Sequence, residues 1–265
     1  WTRRWPTCPR GADHDERSSG PGRAAPARAG RPDRRGHRRQ LRHGAGDRAA
    51  GQGRGAEVIL AARNPGRLRD AAKELGARYS SAFDAGDPAA VAQFFRDLPG
   101  PIDHVMLTAG GPHYAPLLEM DADAVRQGLS QHIVEALEVA RNAVPRMRPG
   151  GTLIFMSGTG GRRVGHGLGI ASAATAATGP FAAALALEVA PVRVNLIAPG
   201  FVDTPLSATV LGDQLEARRE ELRRTLPICR VVGPADIAAL AVHIMSNTAV
   251  DGATFDIDGG AQFVW

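Results

Sequence analysis

The pattern of apolar and polar positions changes abruptly at Ala56. Before it, Leu41 is the one residue drawn from Leu, Ile, Val and Phe, and no periodicity can be read. After it, short continuous apolar runs alternate with segments of helical period. Residues 57–62, 79–83, 103–107, 151–156, 192–197 and 254–257 are runs of strand length. Between them the spacing predicts helices over 67–75, 87–98, 122–147, 172–190, 213–224 and 234–246, the third interrupted or bent near Ser130. Asp87-Pro88 reads as a capped helix start and Gly76 as a helix stop.

Strands that are apolar throughout and alternate with helices imply a parallel sheet covered on both faces. Small and polar residues gather where these strands end on their carboxyl side. In a doubly wound sheet that edge is where ligands bind. No internal repeat is present.

Composition adds little for residues 56–265 and much for residues 1–55. The 265 residues are 43% hydrophobic and 22% charged, ordinary for a chain that buries a core. No apolar run approaches the roughly 20 residues that span a bilayer, which argues against a membrane partner. The first residues have no apolar stretch behind Arg3-Arg4 and do not read as a secretory signal. Cys8 and Cys229 are too few for a disulfide framework or a cysteine zinc site, so the expected compartment is cytoplasmic. The net charge of +5 divides unevenly: residues 1–55 hold fourteen Arg against five acidic residues, leaving 56–265 at −4. With ten Gly and five Pro as well, residues 1–55 cannot bury enough apolar surface to offset their ordering entropy, and disorder is expected there.

Several motifs in 56–265 together resemble the short-chain dehydrogenase/reductase family. Thr108-Ala109-Gly110 is similar to its Asn-Ala-Gly turn. Val192-Arg193-Val194-Asn195, Pro199-Gly200 and Val202-Asp203-Thr204-Pro205 resemble its strand and loop beneath the nicotinamide. Gly233-Pro234-Ala235-Asp236-Ile237 and Asp256-Ile257-Asp258-Gly259-Gly260 match its C-terminal pattern. The resemblance implies an α/β fold: a Rossmann-like, doubly wound parallel sheet in three α/β/α layers.

It also implies a first strand and a glycine-rich pyrophosphate loop about thirty residues ahead of Ala56, and residues 29–55 contain neither. Back-translated with freely chosen third bases and read from the second base of each codon, those 27 residues permit LAGRTVVVIGGSSGMGLETARLAKAEG. That product is an apolar strand, a Gly-Gly-Ser-Ser-Gly-Met-Gly loop and a helix start. Residues 1–55 are accordingly expected to be out of frame, with a natural basic tail as the alternative.

The resemblance locates a cofactor site. An acidic residue at the end of the second family strand would bind the ribose hydroxyl of NAD. Ala62 and Arg63 stand there instead, and a guanidinium suits a 2′-phosphate, so NADP(H) is expected over NAD(H). Asp84 and Ala85 would flank the adenine, while Thr108, Ala109 and Gly110 would lie where backbone approaches the cofactor. Pro199, Gly200, Val202 and Thr204 would line the nicotinamide.

The family's catalytic groups are absent. Its Ser, Tyr, Lys and relay Asn positions fall on Gly158, Ala171, Thr175 and His132. The only tyrosines, Tyr79 and Tyr114, are followed four residues on by Phe83 and Leu118, and the only lysine is Lys73. Ser157, Thr159 and His132 remain as candidates for handling a proton. Tyr114 and His113 are placed at the mouth of the site, and His166 in an exposed glycine-rich loop. The eight histidines show no ligand spacing, so no metal is expected.

Three readings follow. One is an NADP(H)-dependent oxidoreductase with an atypical centre, acting on a small, largely apolar carbonyl or alcohol. A second is a noncatalytic dinucleotide-binding or scaffold protein. The third, a nucleic-acid binder acting through the Arg-rich segment, is disfavoured because aromatic residues do not interleave the charges beyond Trp1 and Trp5. The alanine-rich 172–190 and the 122–147 segment resemble the helices through which the family forms homodimers and homotetramers.

Overall fold

The computed structural model describes residues 55–111 and 113–264. The basic segment expected to be disordered or out of frame lies, apart from Gly55, outside the described residues.

Among the described residues six strands and seven helices follow one another, six of the helices where the sequence pattern predicted them: β1 (Ile59–Ala62), α1 (Pro65–Leu75), β2 (Tyr79–Ala82), α2 (Pro88–Asp97), β3 (Ile102–Leu107), α3 (Ala122–Ala143) and β4 (Met147–Met156), then α4 (Gly169–Glu188), β5 (Arg193–Pro199), α5 (Pro205–Leu211), α6 (Leu215–Thr225), α7 (Pro234–Ser246) and β6 (Thr254–Ile257). Three helices start where a short polar side chain precedes proline. Asn64, Asp87 and Thr204 each accept a backbone N–H of the first turn, with Pro at the first helical position.

All pairings are parallel, but among the described residues the sheet is in two pieces. One is β1–β2; the other is β3–β4–β5–β6 in that order. Alternate residues of each strand feed opposite faces. Leu153 and Phe155 of β4 join Val194 and Leu196 of β5 under α2, α3 and α4, while Ile154 and Ile197 pack against Ile237, Ala241 and Ile244 of α7. Ile59 belongs to the first face and Leu60 to the opposite one, where it meets Leu68 and Leu75 of α1.

Several elements differ from expectation. Helix α3 runs uninterrupted through Ser130, whose hydroxyl donates to the Arg126 carbonyl one turn back. It stops at Ala143, four residues early, because Pro145 cannot continue it, and β4 begins at Met147. Helix α5 was not foreseen at all. Helix α4 has 20 residues with a mean hydropathy of 1.5, long and apolar enough to cross a membrane by length and composition. That corrects the reading that no apolar run approaches this length; its apolar character comes from small alanines packed against β5 and α3.

The Arg193-Val194-Asn195 motif has a structural role. Arg193, 6% exposed, fans its guanidinium over the carbonyls of Ile244, Met245, Asn247 and Val250 at 2.9–3.1 Å. Ile244 and Met245 are in the last turn of α7, whose carbonyls lack helical partners. Asn195 donates to the Val250 carbonyl and accepts from the Ala253 N–H, while Asp251 accepts from Val194. The start of β5 is thereby pinned to the α7–β6 connection, and its far end carries Pro199 and Gly200.

Candidate functional site

The predicted residues come together at the carboxyl ends of the strands. Arg63 follows β1 and is exposed. Asp84 follows β2 and accepts the Gly86 N–H at 3.0 Å, a tight turn that holds Ala85 at the edge. Thr108, Ala109 and Gly110 follow β3 and are exposed, with Gly110 at φ +95°, a conformation glycine adopts without strain. Pro199 and Gly200 follow β5. A Cβ on Gly200 would stand 2.7 Å from the Asp258 Cβ, so glycine is required where this loop passes the C-terminal turn. Asp258, 6% exposed, organises that turn by accepting the N–H groups of Gly260 and Gln262.

Val202 and Thr204 lie at the base of the loop after β5 and are buried. Both are 5% exposed; Val202 bridges to Val232, and the Thr204 hydroxyl caps α5 by accepting the Ser207 N–H. The helices beyond, α5 and α6, cover residues where the family resemblance implies a lid; Leu206 and Val210 of α5 are half exposed, while α6 is mostly Arg and Glu. Arg219 does not project a free charge there, because Asp203 and Glu216 hold it.

Helix α3 supplies residues that sequence reasoning missed. The Gln131 side chain accepts the Gly111 N–H at 3.2 Å and so fixes the loop after β3. One turn on, the Glu135 carboxylate lies 3.4 Å from where a Gly86 Cβ would stand, close to Asp84. Burial first and the Asp84 charge second push the Glu135 carboxyl above its ordinary range, and Arg63 opposes them. Arg63, Asp84 and Glu135 therefore form one charged corner. The available signal was weak: Gln131 and Glu135 share a helix face by their spacing of four, but nothing local says what that face meets.

At the family's catalytic positions the loop after β4 lies flat on α4. A Cβ on Gly161 would come within 2.7–2.9 Å of the Ala176 backbone and Cβ, and one on Gly160 within 3.4 Å of the Thr175 hydroxyl. Small residues in the loop and small residues on the helix thus require one another. Most hydroxyls here are occupied, but that of Ser172, next to Ala171, is buried without a hydrogen-bond partner. Thr175 donates to the Ala171 carbonyl at 2.8 Å, Thr178 donates to the Thr175 carbonyl at 2.7 Å, and Ser157 shares a 2.6 Å hydrogen bond with Thr178. Thr159 opens the short turn Thr159–Gly161, and its carbonyl accepts the Arg162 N–H.

Two imidazoles stand nearby. Gly128 of α3 is packed tightly enough that its Cβ would lie 2.7 Å from Ile170, next to Ala171, and 3.3 Å from His113. His132, one turn along α3, and His113 each bury an Nδ1 that makes no hydrogen bond. Burial holds the His132 imidazole below its ordinary value; the Gly128 carbonyl opposes this and His113 adds to it. Tyr114 is 54% exposed at the mouth, beside His113, and His166 is exposed as expected. Among the described residues no group of three or more His, Cys, Asp or Glu is placed to hold a metal.

The arrangement has known counterparts. A family profile described as enoyl-(acyl carrier protein) reductase matches residues 47–262. An uncharacterized oxidoreductase of Mycobacterium tuberculosis is 31% identical over 223 residues, covering 79% of this chain and 84% of its own. The structure of L-sorbose reductase from Gluconobacter frateurii, complexed with NADPH and L-sorbose, superposes with a TM-score of 0.77 at 26% identity, over 83% of this chain and 92% of its own. An NADPH-bound short chain oxidoreductase from Pseudomonas aeruginosa PAO1, described as containing an atypical catalytic center, has a TM-score of 0.74 at 22% identity, over 83% of this chain and 93% of its own.

Proposed function

The chain belongs to the short-chain dehydrogenase/reductase family, and from that premise we propose that it is an NADP(H)-dependent oxidoreductase with an atypical centre, acting on a small, largely apolar carbonyl or alcohol. The observation that carries this reading is the convergence of Arg63, the Thr108–Gly110 turn and the Pro199-Gly200 loop on one edge of the sheet. The described residues suit both ends of the dinucleotide. Arg63 offers an exposed guanidinium for a 2′-phosphate, with Asp84 and Ala85 beside the adenine. Gly110 and Gly200 let backbone approach closely at the nicotinamide end. The pyrophosphate seat falls outside the described residues. When bound, NADP(H) supplies or accepts the hydride at the carbonyl carbon.

The chain's own task is then the proton at the substrate oxygen. Ser157, Thr175 and Thr178 have committed their hydroxyls to one another and to α4 carbonyls, and an alcohol without an activating partner is a poor acid. His132 can serve in one direction: burial favours its neutral imidazole, which can accept the proton of an alcohol as it is oxidised, and its Nδ1 is buried without a hydrogen-bond partner. Leu206 and Val210 of the lid present apolar surface to the substrate. In this reading the protein is cytoplasmic. It is a homodimer or homotetramer, and exposed Leu129, Leu137 and Leu187 on α3 and α4 supply apolar contact.

One observation favours the second reading, a noncatalytic NADP(H)-binding protein: the hydroxyls of Ser157, Thr175 and Thr178 beside the vacant catalytic positions are internally bonded, although that of Ser172 is not. A single comparison separates the readings. NADPH and NADH binding is measured by fluorescence and thermal shift on this chain and on one carrying the frame-restored 29–55 segment, followed by turnover of a carbonyl panel. NADPH preferred over NADH is expected, and Arg63→Ala should weaken NADPH about tenfold to a hundredfold, the effect of one charge-assisted contact, while sparing NADH. Equal affinity for the two cofactors, or binding of neither, overturns the assignment. Binding without turnover selects the noncatalytic reading.

A further inference from the structure

The proposed function leaves Glu135, in the charged corner with Arg63 and Asp84, without a task. Three elements build that corner. The Phe83 N–H donates to the Ala62 carbonyl at 3.2 Å, so the chain leaving β1 toward Arg63 runs beside the chain leaving β2 toward Asp84. Asp84 accepts the Gly86 N–H at 3.0 Å, and Gly86 has no side chain to fill the space next to it. Helix α3 places Glu135 there. A Cβ on Gly86 would lie 3.4 Å from Glu135 Oε1 and 3.5 Å from Asp84 Oδ1, so the two carboxylates flank one glycine. Arg63 acts on Glu135 through space, yet it is exposed and makes no hydrogen bond or ion pair among the described residues.

A phosphate carried to Arg63 comes up against both carboxylates. The charge on Glu135 is the one the surroundings already work to remove: burial first and Asp84 second favour its protonated form, and a phosphate dianion adds a further negative neighbour. The other polar and charged groups around it are engaged elsewhere. Asp87 caps α2 by accepting from Ala89 and Ala90, and Arg96 and Asp97 of α2 bond to Gln93 on its exposed side. On α3 itself, Gln131 is held on the Gly111 N–H and Glu138 pairs with Arg141.

We infer that Glu135 is a specificity-determining residue: ionised, it opposes a 2′-phosphate on Arg63, and protonated, it admits one, so that choice between the phosphorylated and unphosphorylated dinucleotide is linked to a proton. The inference rests on the reading of Arg63 as the partner of the 2′-phosphate. Binding of the phosphorylated ligand then takes up a proton at the Glu135 carboxylate, and binding of the unphosphorylated one takes up none there. Linkage fixes the sign. Affinity for NADPH rises as pH falls through the range in which Glu135 titrates, and affinity for NADH does not follow. The 2′-phosphate itself, with a second pKa of about 6, works in the opposite direction at lower pH, and comparison with Glu135→Gln separates the two.

Calorimetric titration of the full chain tests this with NADPH, NADH and adenosine 2′,5′-bisphosphate, which keeps the 2′-phosphate and lacks the nicotinamide half. At pH 7.5 Glu135→Gln should bind both phosphorylated ligands about threefold to tenfold more tightly and raise the NADPH-to-NADH affinity ratio by the same factor, the effect of removing one nearby charge in a half-buried corner. A variant that only damaged packing would bind both dinucleotides less well. Between pH 5.5 and 7.5, in buffers of different ionisation enthalpy, the parent should take up protons on binding NADPH that the variant does not. In the free chain, carbon NMR should show the Glu135 carboxyl titrating higher in Arg63→Ala than in the parent. If the phosphorylated ligands bind and Glu135→Gln keeps the parent's affinity ratio and pH profile, or weakens NADPH, the role of Glu135 is overturned while Arg63 keeps its phosphate. If neither phosphorylated ligand binds, or Arg63→Ala leaves their affinity intact, the reading of Arg63 falls and this inference falls with it.

Discussion

Replacing Arg193 with methionine should cost more stability than most single substitutions, and the structure sizes the loss. Methionine keeps much of the aliphatic stem, so the change removes donors more than volume. Four carbonyls then lose a charged partner at 2.9–3.1 Å. Those of Ile244 and Met245 have no helical substitute, and Ile244 is fully buried. A buried acceptor left unsatisfied costs about 1–3 kcal/mol. Water can reach the carbonyls of Asn247 and Val250 more easily, so about 3–4 kcal/mol is a fair total, against a domain stability of roughly 5–15 kcal/mol. For a chain of this size that corresponds to a fall in Tm of roughly 6–16 °C. Urea unfolding of Arg193→Met should show a lower midpoint with an unchanged slope. Arg193→Lys keeps the charge but cannot span four carbonyls, and should recover about half the loss. A loss below about 1 kcal/mol for the methionine variant, or a lysine variant as stable as the parent, would refute the argument from the fanned guanidinium.

The packing of the loop on α4 makes a paired prediction. Gly161→Ala forces a methyl into the Ala176 backbone and should cost about 2–3 kcal/mol, whereas Gly158→Ala, whose Cβ finds ordinary contacts at 3.5–3.6 Å, should be nearly neutral by thermal unfolding. The His132 imidazole predicts a pH dependence. Its folded value lies below the unfolded one near 6.5, so the unfolded chain takes up the proton first and stability falls as pH drops through about 6.5. Urea midpoints between pH 7.5 and 5.5 should show this loss, and His132→Gln should reduce it, the remainder coming from His104, which burial also holds below its ordinary value; an unchanged slope would remove His132 as a cause. If His132 also accepts the proton of an alcohol substrate, the same variant lowers kcat for oxidation more than it raises KM.

What the sequence made legible was local. Strand runs such as Val192 to Ile197 and capped starts such as Asp87-Pro88 announced themselves, because continuous burial and helix capping leave marks on neighbouring residues. Helix α5 carried the same signal in Thr204-Pro205 and was still missed, since its seven residues are too few to show a helical period. The interruption expected near Ser130 is absent because a serine inside a helix can satisfy its hydroxyl on the preceding turn. The sites where strands end were legible from their small residues. The corner formed by Arg63, Asp84 and Glu135 was not, because it joins residues far apart in sequence through the packing of α3. The same holds for the loop resting on α4: a run of glycines and alanines shows that space is tight, but not which surface closes it.

The small cluster of Leu60, Leu68 and Leu75 has a consequence for ligand recognition. It is the least of the three cores, and it anchors the part of the molecule that presents Arg63. A guanidinium on so lightly held a platform discriminates between ligands only while the platform stays docked. Choice of ligand and local folding then become one equilibrium. A phosphorylated ribose that grips Arg63 also draws β1 and α1 onto the body of the protein, and selectivity should fade on warming well before the rest of the chain melts.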